Sequence, residues 1–285
     1  EGKITNESII STPPPYEGGV FGSSFVIKWM SPGDEEKDVP LCRMIQVGFS
    51  NKLKVDTVDK NNVLISIKDG KKDGEICSLN KDCASGKCEA NKCFGETVSG
   101  TFRVAEDVFQ FKAAKDFEEN AVYQVEITTN VKSKNNVAIS SLDSKRKWIF
   151  ATGNMTDTTP PQVRNVYPTN NAINVCLAAP VETVFSEPMD AISLMKKDAL
   201  SINPTIVAGF SHNVESANIL IANPNETYEK NKKYIPLLNR LTPDAFNIFF
   251  IWFIIFIFFE IDFKKINKTI FFLLKIFLFI LPIIL

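Results

Sequence analysis

The chain contains an internal repeat, and the repeat constrains its architecture more than any other feature. Residues Phe25–Val58 lie on Pro161–Leu194 without a gap, at a constant offset of 136. Pro32 falls on Pro168, Val39 on Val175, Leu41 on Leu177, and Phe49-Ser50 on Phe185-Ser186. Apolar character persists between these identities, as in Ile27/Val163, Met30/Val166, Ile45/Val181, Leu53/Met189 and Val58/Leu194. Downstream the offset shortens. Val98-Ser99-Gly100 answers Val207-Ala208-Gly209 at 109, and Glu118, Asn120 and Tyr123 answer Glu229, Asn231 and Tyr234 at 111. Two copies of one unit account for this pattern, and 285 residues allow two domains of ordinary size.

Within the first copy, short runs rich in β-branched and aromatic residues alternate with turn signals. Phe25–Met30 stops at Ser31-Pro32-Gly33. Met44–Phe49 reads as a strand alternating inward and outward, and Val63–Ile67, Gly100–Val104, Val108–Phe111, Tyr123–Thr128 and Trp148–Thr152 continue the series. About seven short strands predict an all-β chain of two tandem Ig-like sandwiches. Helical periodicity is confined to short stretches such as Pro188–Lys197. The predicted organisation is a lead-in over 1–24, a first domain over 25–153, a linker over 154–160, an incomplete second domain over 161–247 and a hydrophobic tail over 248–285.

The chemistry available is narrow. Lysine and arginine number 32 against 33 acidic residues, so no basic surplus points to nucleic acid. A single histidine, His212, would have to serve any triad or multi-histidine metal site, and its setting after Val207–Phe210 suggests a surface turn. No Gly-rich phosphate loop follows a strand, and no nucleophile elbow occurs. We therefore expect no catalytic, cofactor-binding or metal-binding residue. Glu187 and Asp190 read as turn and cap residues, and Asp157 alone offers too few oxygens for calcium.

Certain residues resemble a known family. Asp157-Thr-Thr-Pro-Pro161, Val166-Tyr-Pro168, Ile173-Asn-Val175 and Val184-Phe-Ser-Glu-Pro-Met-Asp190 resemble the bacterial Ig-like domain of the S-layer (SbsA) type. The first copy departs from the pattern, with Asn51-Lys52-Leu53 in place of Glu-Pro-Met, and its close at Trp148–Gly153 fits the last strand. The resemblance implies a non-catalytic spacer or adhesion module of a bacterial cell-surface or secreted protein, with an extracellular protein or carbohydrate as partner. The alternative is a pair of accessory domains on a larger secreted hydrolase.

The drop in offset from 136 to 109 gives the first copy 27 extra residues between Ser66 and Val98. Four cysteines sit in this insertion, about 71–97: Cys77, Cys83, Cys88 and Cys93. So short and polar a segment cannot bury a core, so covalent staples would have to replace one. Two disulfides in any of three pairings, or a structural zinc, are the readings left open. Spacings of five, four and four lack the Cys-x2-Cys pairs common in zinc knuckles. The run is also similar to small Dickkopf-like cysteine knots. Cys42 and Cys176 stand apart and are each expected as a buried thiol.

The tail is continuously apolar at Ile248–Phe259, and again at Ile270–Leu285 apart from Lys275. A two-span hairpin would place Lys264, Lys265 and Lys268 on the cytoplasmic side. The tail also lacks valine and glycine and is rich in residues with AT-rich codons, which suggests a frameshifted end instead. No counterpart of Trp148–Gly153 is evident in it.

Overall fold

A computed structural model describes residues 24–238. The hydrophobic tail, the lead-in and the expected truncation of the second domain lie outside these residues. Among the described residues no helix is long and apolar enough to cross a membrane.

The first copy contributes ten strands: β1 (Ile27–Ser31), β2 (Glu36–Val39), β3 (Ile45–Phe49), β4 (Val63–Ile67), β5 (Cys88–Glu89), β6 (Lys92–Cys93), β7 (Gly100–Ala105), β8 (Val108–Ala113), β9 (Val122–Ile127) and β10 (Lys147–Thr152). The second adds β11 (Val163–Tyr167), β12 (Val181–Phe185), the short helix α1 (Ala191–Leu194), β13 (Leu200–Asn203), β14 (Phe210–Ser216), β15 (Ile219–Pro224) and β16 (Ile235–Leu238). The fold is all-β in Ig-like sandwiches, as the strand pattern implied.

In the first copy one sheet runs β1-β3-β8-β7 and the other β2-β10-β9-β4. All pairings are antiparallel except β2 with β10. Between the sheets lies a continuous apolar core that includes Phe25, Phe49, Tyr123, Ile127, Trp148 and Phe150. Alternation in β4 and β10 is the period-2 signature of strands with one face on a core. β2 was not evident in the sequence, because Glu36-Lys37-Asp38 carries no apolar signal and only Val39 reaches the core.

The repeat is visible in three dimensions. Ile45 and Gln46 of β3 pair with Phe111 and Gln110 of β8, as Val181 and Glu182 of β12 pair with Ala222 and Ile221 of β15. The shared Glu-x-Asn-x-x-Tyr motif has a structural cause. Tyr123 Oη accepts a hydrogen bond from Glu118 N at 2.8 Å, and Tyr234 Oη accepts one from Glu229 N at 3.1 Å. Asn120 and Asn231 take the left-handed turn between them, at φ 50° and 58°. Burial pushes the Tyr123 phenol up to about 12.

One expectation fails informatively. The sequence of Met44–Phe49 predicts a strand alternating inward and outward, yet every residue of β3 is buried. The first four residues of β8 are buried too, Gln110 among them. The polar residues do alternate with apolar ones, but the face they occupy is covered by the second copy.

Candidate functional site: a buried joint and a disulfide insert

The outer face of the β1-β3-β8 sheet carries Trp29, Gln46, Gly48, Val108 and Gln110. Trp29 and Gly48 are cross-strand partners. A side chain at Gly48 would fall inside the Trp29 indole, so the missing Cβ is what lets the ring lie flat over the sheet. From there Trp29 Nε1 donates to Val214 O of β14 at 3.0 Å. Trp29 and Val108 join the apolar core of the second copy, in one cluster with Met189, Leu194, Val214 and Leu220.

A polar network sits beside this apolar contact. Asp190 caps α1, with its Oδ1 accepting from Ser193 N at 3.1 Å, which bears out its reading as a cap. The same oxygen accepts from Gln110 Nε2 at 2.6 Å, and Oδ2 pairs with Arg103 Nη1 at 3.2 Å. Gln46 lies alongside, donating Nε2 to Met189 O at 2.9 Å and accepting at Oε1 from Ala191 N and Gln110 Nε2. Gln46, Gln110 and Asp190 are at most 5% exposed, so each hydrogen bond replaces a water that cannot reach it. Burial by itself would raise the Asp190 carboxyl. Hydrogen bonds from Gln110 and Ser193 and the charge of Arg103 outweigh it and hold the group below the ordinary carboxylate value. Lys28 and Glu215 add an exposed rim pair at 3.9 Å, which contributes little.

Nothing in the sequence marked this joint apart from glutamines inside strands, which ordinarily mean a solvated face. The second copy does not offer the same surface onward. Asn165, Glu182, Val184 and Ile221 occupy the places of Trp29, Gln46, Gly48 and Gln110. The joint is specific to this order of copies.

The insertion brings the four clustered cysteines together. Cys77 is bonded to Cys88 and Cys83 to Cys93, and the sulfurs of Cys77, Cys83 and Cys93 lie within 4.8 Å of one another. A disulfide sulfur carries no thiolate for a metal, so in this arrangement the four are staples. They form a small core of their own, with no apolar residue from the sandwich in it. β5 and β6 make a hairpin whose two-residue turn, Ala90-Asn91, has both φ values positive, at 48° and 61°. The insert touches the sandwich through the backbone, with Ile67 N donating to Ala84 O at 2.8 Å, and Val98 N, just past the insert, donates to Ile65 O at 2.7 Å. Because the two cores are separate, reduction should release about 2–4 kcal/mol of order in the insert without unfolding the sandwich. Hydrogen exchange with and without a reductant checks this: amides of 74–97 should lose protection while those of β3 and β9 keep it.

Other expectations are corrected. His212 is not in a turn but within β14, half-buried beside Phe210, and burial lowers its imidazole from the ordinary value. Its strand packs on the sandwich, which the flanking Ser211 and Asn213 did not suggest. Neither Cys42 nor Cys176 is in a disulfide, and neither is fully buried: Cys42 is half-buried and Cys176 exposed. Cys176 lies in the loop before β12, where the described second copy has no strand equivalent to β2 to cover it. Asp157 accepts from Thr159 N at 2.9 Å, a local turn contact.

The sequence pattern of the bacterial Ig-like domain matches the chain over residues 23–152 and again over 157–239. Among solved structures, the N-terminal part of the bacterial S-layer protein SbsC is similar over 75% of this chain and 44% of its own length, at 8% identity and a TM-score of 0.29. This chain thus spans less than half of that protein. No curated protein sequence matches it. With the pattern met by both copies and covering most of the residues, the chain belongs to the bacterial Ig-like domain family.

Proposed function

We propose that the chain is a non-catalytic spacer and adhesion module of a bacterial cell-surface protein, of the S-layer type. In this reading it holds its two sandwiches in one fixed arrangement. The observation that supports this is the joint. A flexible string of domains needs only a linker, whereas here a tryptophan and three polar side chains are removed from water where the two copies meet. Buried polar groups tolerate few alternative geometries, because a shifted partner leaves each of them unsatisfied. The disulfide insert is the proposed contact region. It shows Ile76, Leu79 and Phe94 to solvent, with Lys87 Nζ 4.3 Å from the centre of the Phe94 ring. An extracellular protein or carbohydrate is its proposed partner.

Spin labels at exposed Lys60 and Lys230, in a Cys176→Ser background, test the spacer role. A narrow distance distribution is expected. A broad distribution would reject a fixed arrangement.

A further inference from the structure

The four clustered cysteines are not equivalent. Cys77, Cys83 and Cys93 are at most 2% exposed, whereas Cys88 is half-buried, so an outside group meets the Cys77–Cys88 bond from the Cys88 side. The three buried sulfurs lie within 4.8 Å of one another. Cys77 is therefore bonded to Cys88 and at the same time adjacent to the second bond, Cys83–Cys93.

The backbone holds these positions independently of the bonds. Cys77 N donates to Asn91 O at 3.1 Å, Cys93 N to Glu75 O at 2.8 Å and Cys83 N to Asn80 O at 3.0 Å. On either side of Cys83, Lys71 N donates to Asp82 O at 2.7 Å and Ala84 N to Lys71 O at 2.9 Å. The core of the insert consists of the cysteines alone. Opening one bond thus leaves its buried sulfur facing the other bond.

Disulfide exchange proceeds by attack of a thiolate on a disulfide sulfur, and its course depends on which sulfur can be reached. Access here selects Cys88. An external thiolate, RS⁻, attacks the Cys88 sulfur and forms RS–S–Cys88. The Cys77–Cys88 bond breaks, and its electron pair leaves on Cys77. Burial disfavours a charge there, and the Cys83–Cys93 bond lies beside it. Attack by Cys77 on either sulfur of that bond forms a new bond to Cys77 and leaves the pair on the other cysteine. One bond forms and one breaks at each step. The thiol ends as a mixed disulfide and one insert sulfur is reduced in exchange, so no other oxidant or reductant is needed.

We propose that Cys88 is an attachment site for a small thiol, and that the three buried sulfurs exchange partners once it is occupied. A small thiol fits because Cys88 is only partly open to solvent. The site is independent of the spacer reading and stands whether or not the insert is a contact region.

Reduced glutathione is the probe, applied to the full chain in a Cys176→Ser background that removes the exposed thiol outside the insert. After brief exposure and acid quenching, peptide mass mapping should find the adduct on Cys88, with Cys77 bonded to Cys83 or Cys93. Adduct on Cys77, Cys83 or Cys93 at the level of Cys88, or no adduct at all, would overturn the entry site. Cys88→Ser isolates the second step, because it leaves Cys77 without its mate and needs no added thiol. Its one insert thiol, trapped by alkylation, should be distributed over Cys77, Cys83 and Cys93, and glutathione uptake by the insert should be lost. A thiol confined to Cys77, in either arm, would overturn the exchange. The first arm keeps all four insert cysteines, so it decides the matter even where Cys88→Ser disturbs the insert.

Discussion

Replacing Trp29 with alanine is expected to split one cooperative unfolding event into two. The indole lies on the outside of the first sandwich, so its loss leaves that core intact and falls on the joint. Truncating a buried tryptophan typically costs about 3–5 kcal/mol. Here the loss includes the hydrogen bond to Val214 O and the apolar contact with the second core. Among the described residues the second copy has the smaller apolar core, so it should bear most of the effect, with its transition falling by more than about 10 °C. Calorimetry resolves the two transitions, and limited proteolysis at 154–160 should become faster as the copies separate. Gly48→Ala should reproduce the effect, because the added methyl occupies the space of the ring. A Trp29→Ala variant that unfolds in one step at the native temperature would show that the copies are held by something else.

Asp190→Ala should be nearly as damaging, by a different route. The carboxylate caps α1 and accepts from Gln110 across the joint, so its removal strands a buried amide and a helix N–H together. A lost cap and an unmade buried hydrogen bond together amount to about 3 kcal/mol. The charge itself contributes with a definite sign. The folded carboxyl lies below its unfolded value, so its stabilisation is complete above about pH 4 and is lost as pH falls through the folded pKa. Denaturant unfolding of the second copy should therefore weaken with acid in the native chain. Asp190→Asn should be weaker at neutral pH and lack that part of the acid dependence. Equal acid sensitivity in native and Asp190→Asn chains would assign it to other groups.

The strands were legible because their signals are local. Val63–Ile67 alternates over five residues, and one buried face accounts for it. Met44–Phe49 and Val108–Phe111 also alternate in sequence. Their polar positions, Gln46 and Gln110, read as solvated because a neutral amide is equally suited to water and to a buried hydrogen-bond network. Which one it meets depends on residues more than 140 positions away for Gln46, whose partners are Met189 and Ala191. For Asp190 the cap was readable from its place before a short helix, while its bonds to Gln110 and Arg103 were not. His212 was misplaced for the same reason: polar neighbours mark an edge strand and a turn alike.

The sequence by itself determined the two-copy, all-β architecture and the register between the copies, since repeated identities and period-2 alternation are carried by neighbouring residues. Only the tertiary structure decided which outer sheet face is dry, which cysteines are joined and which polar side chains hold the copies together. Those outcomes depend on pairs of surfaces meeting across long stretches of chain, and hydrophobic burial and hydrogen bonding act on surfaces once assembled, whatever their distance in sequence.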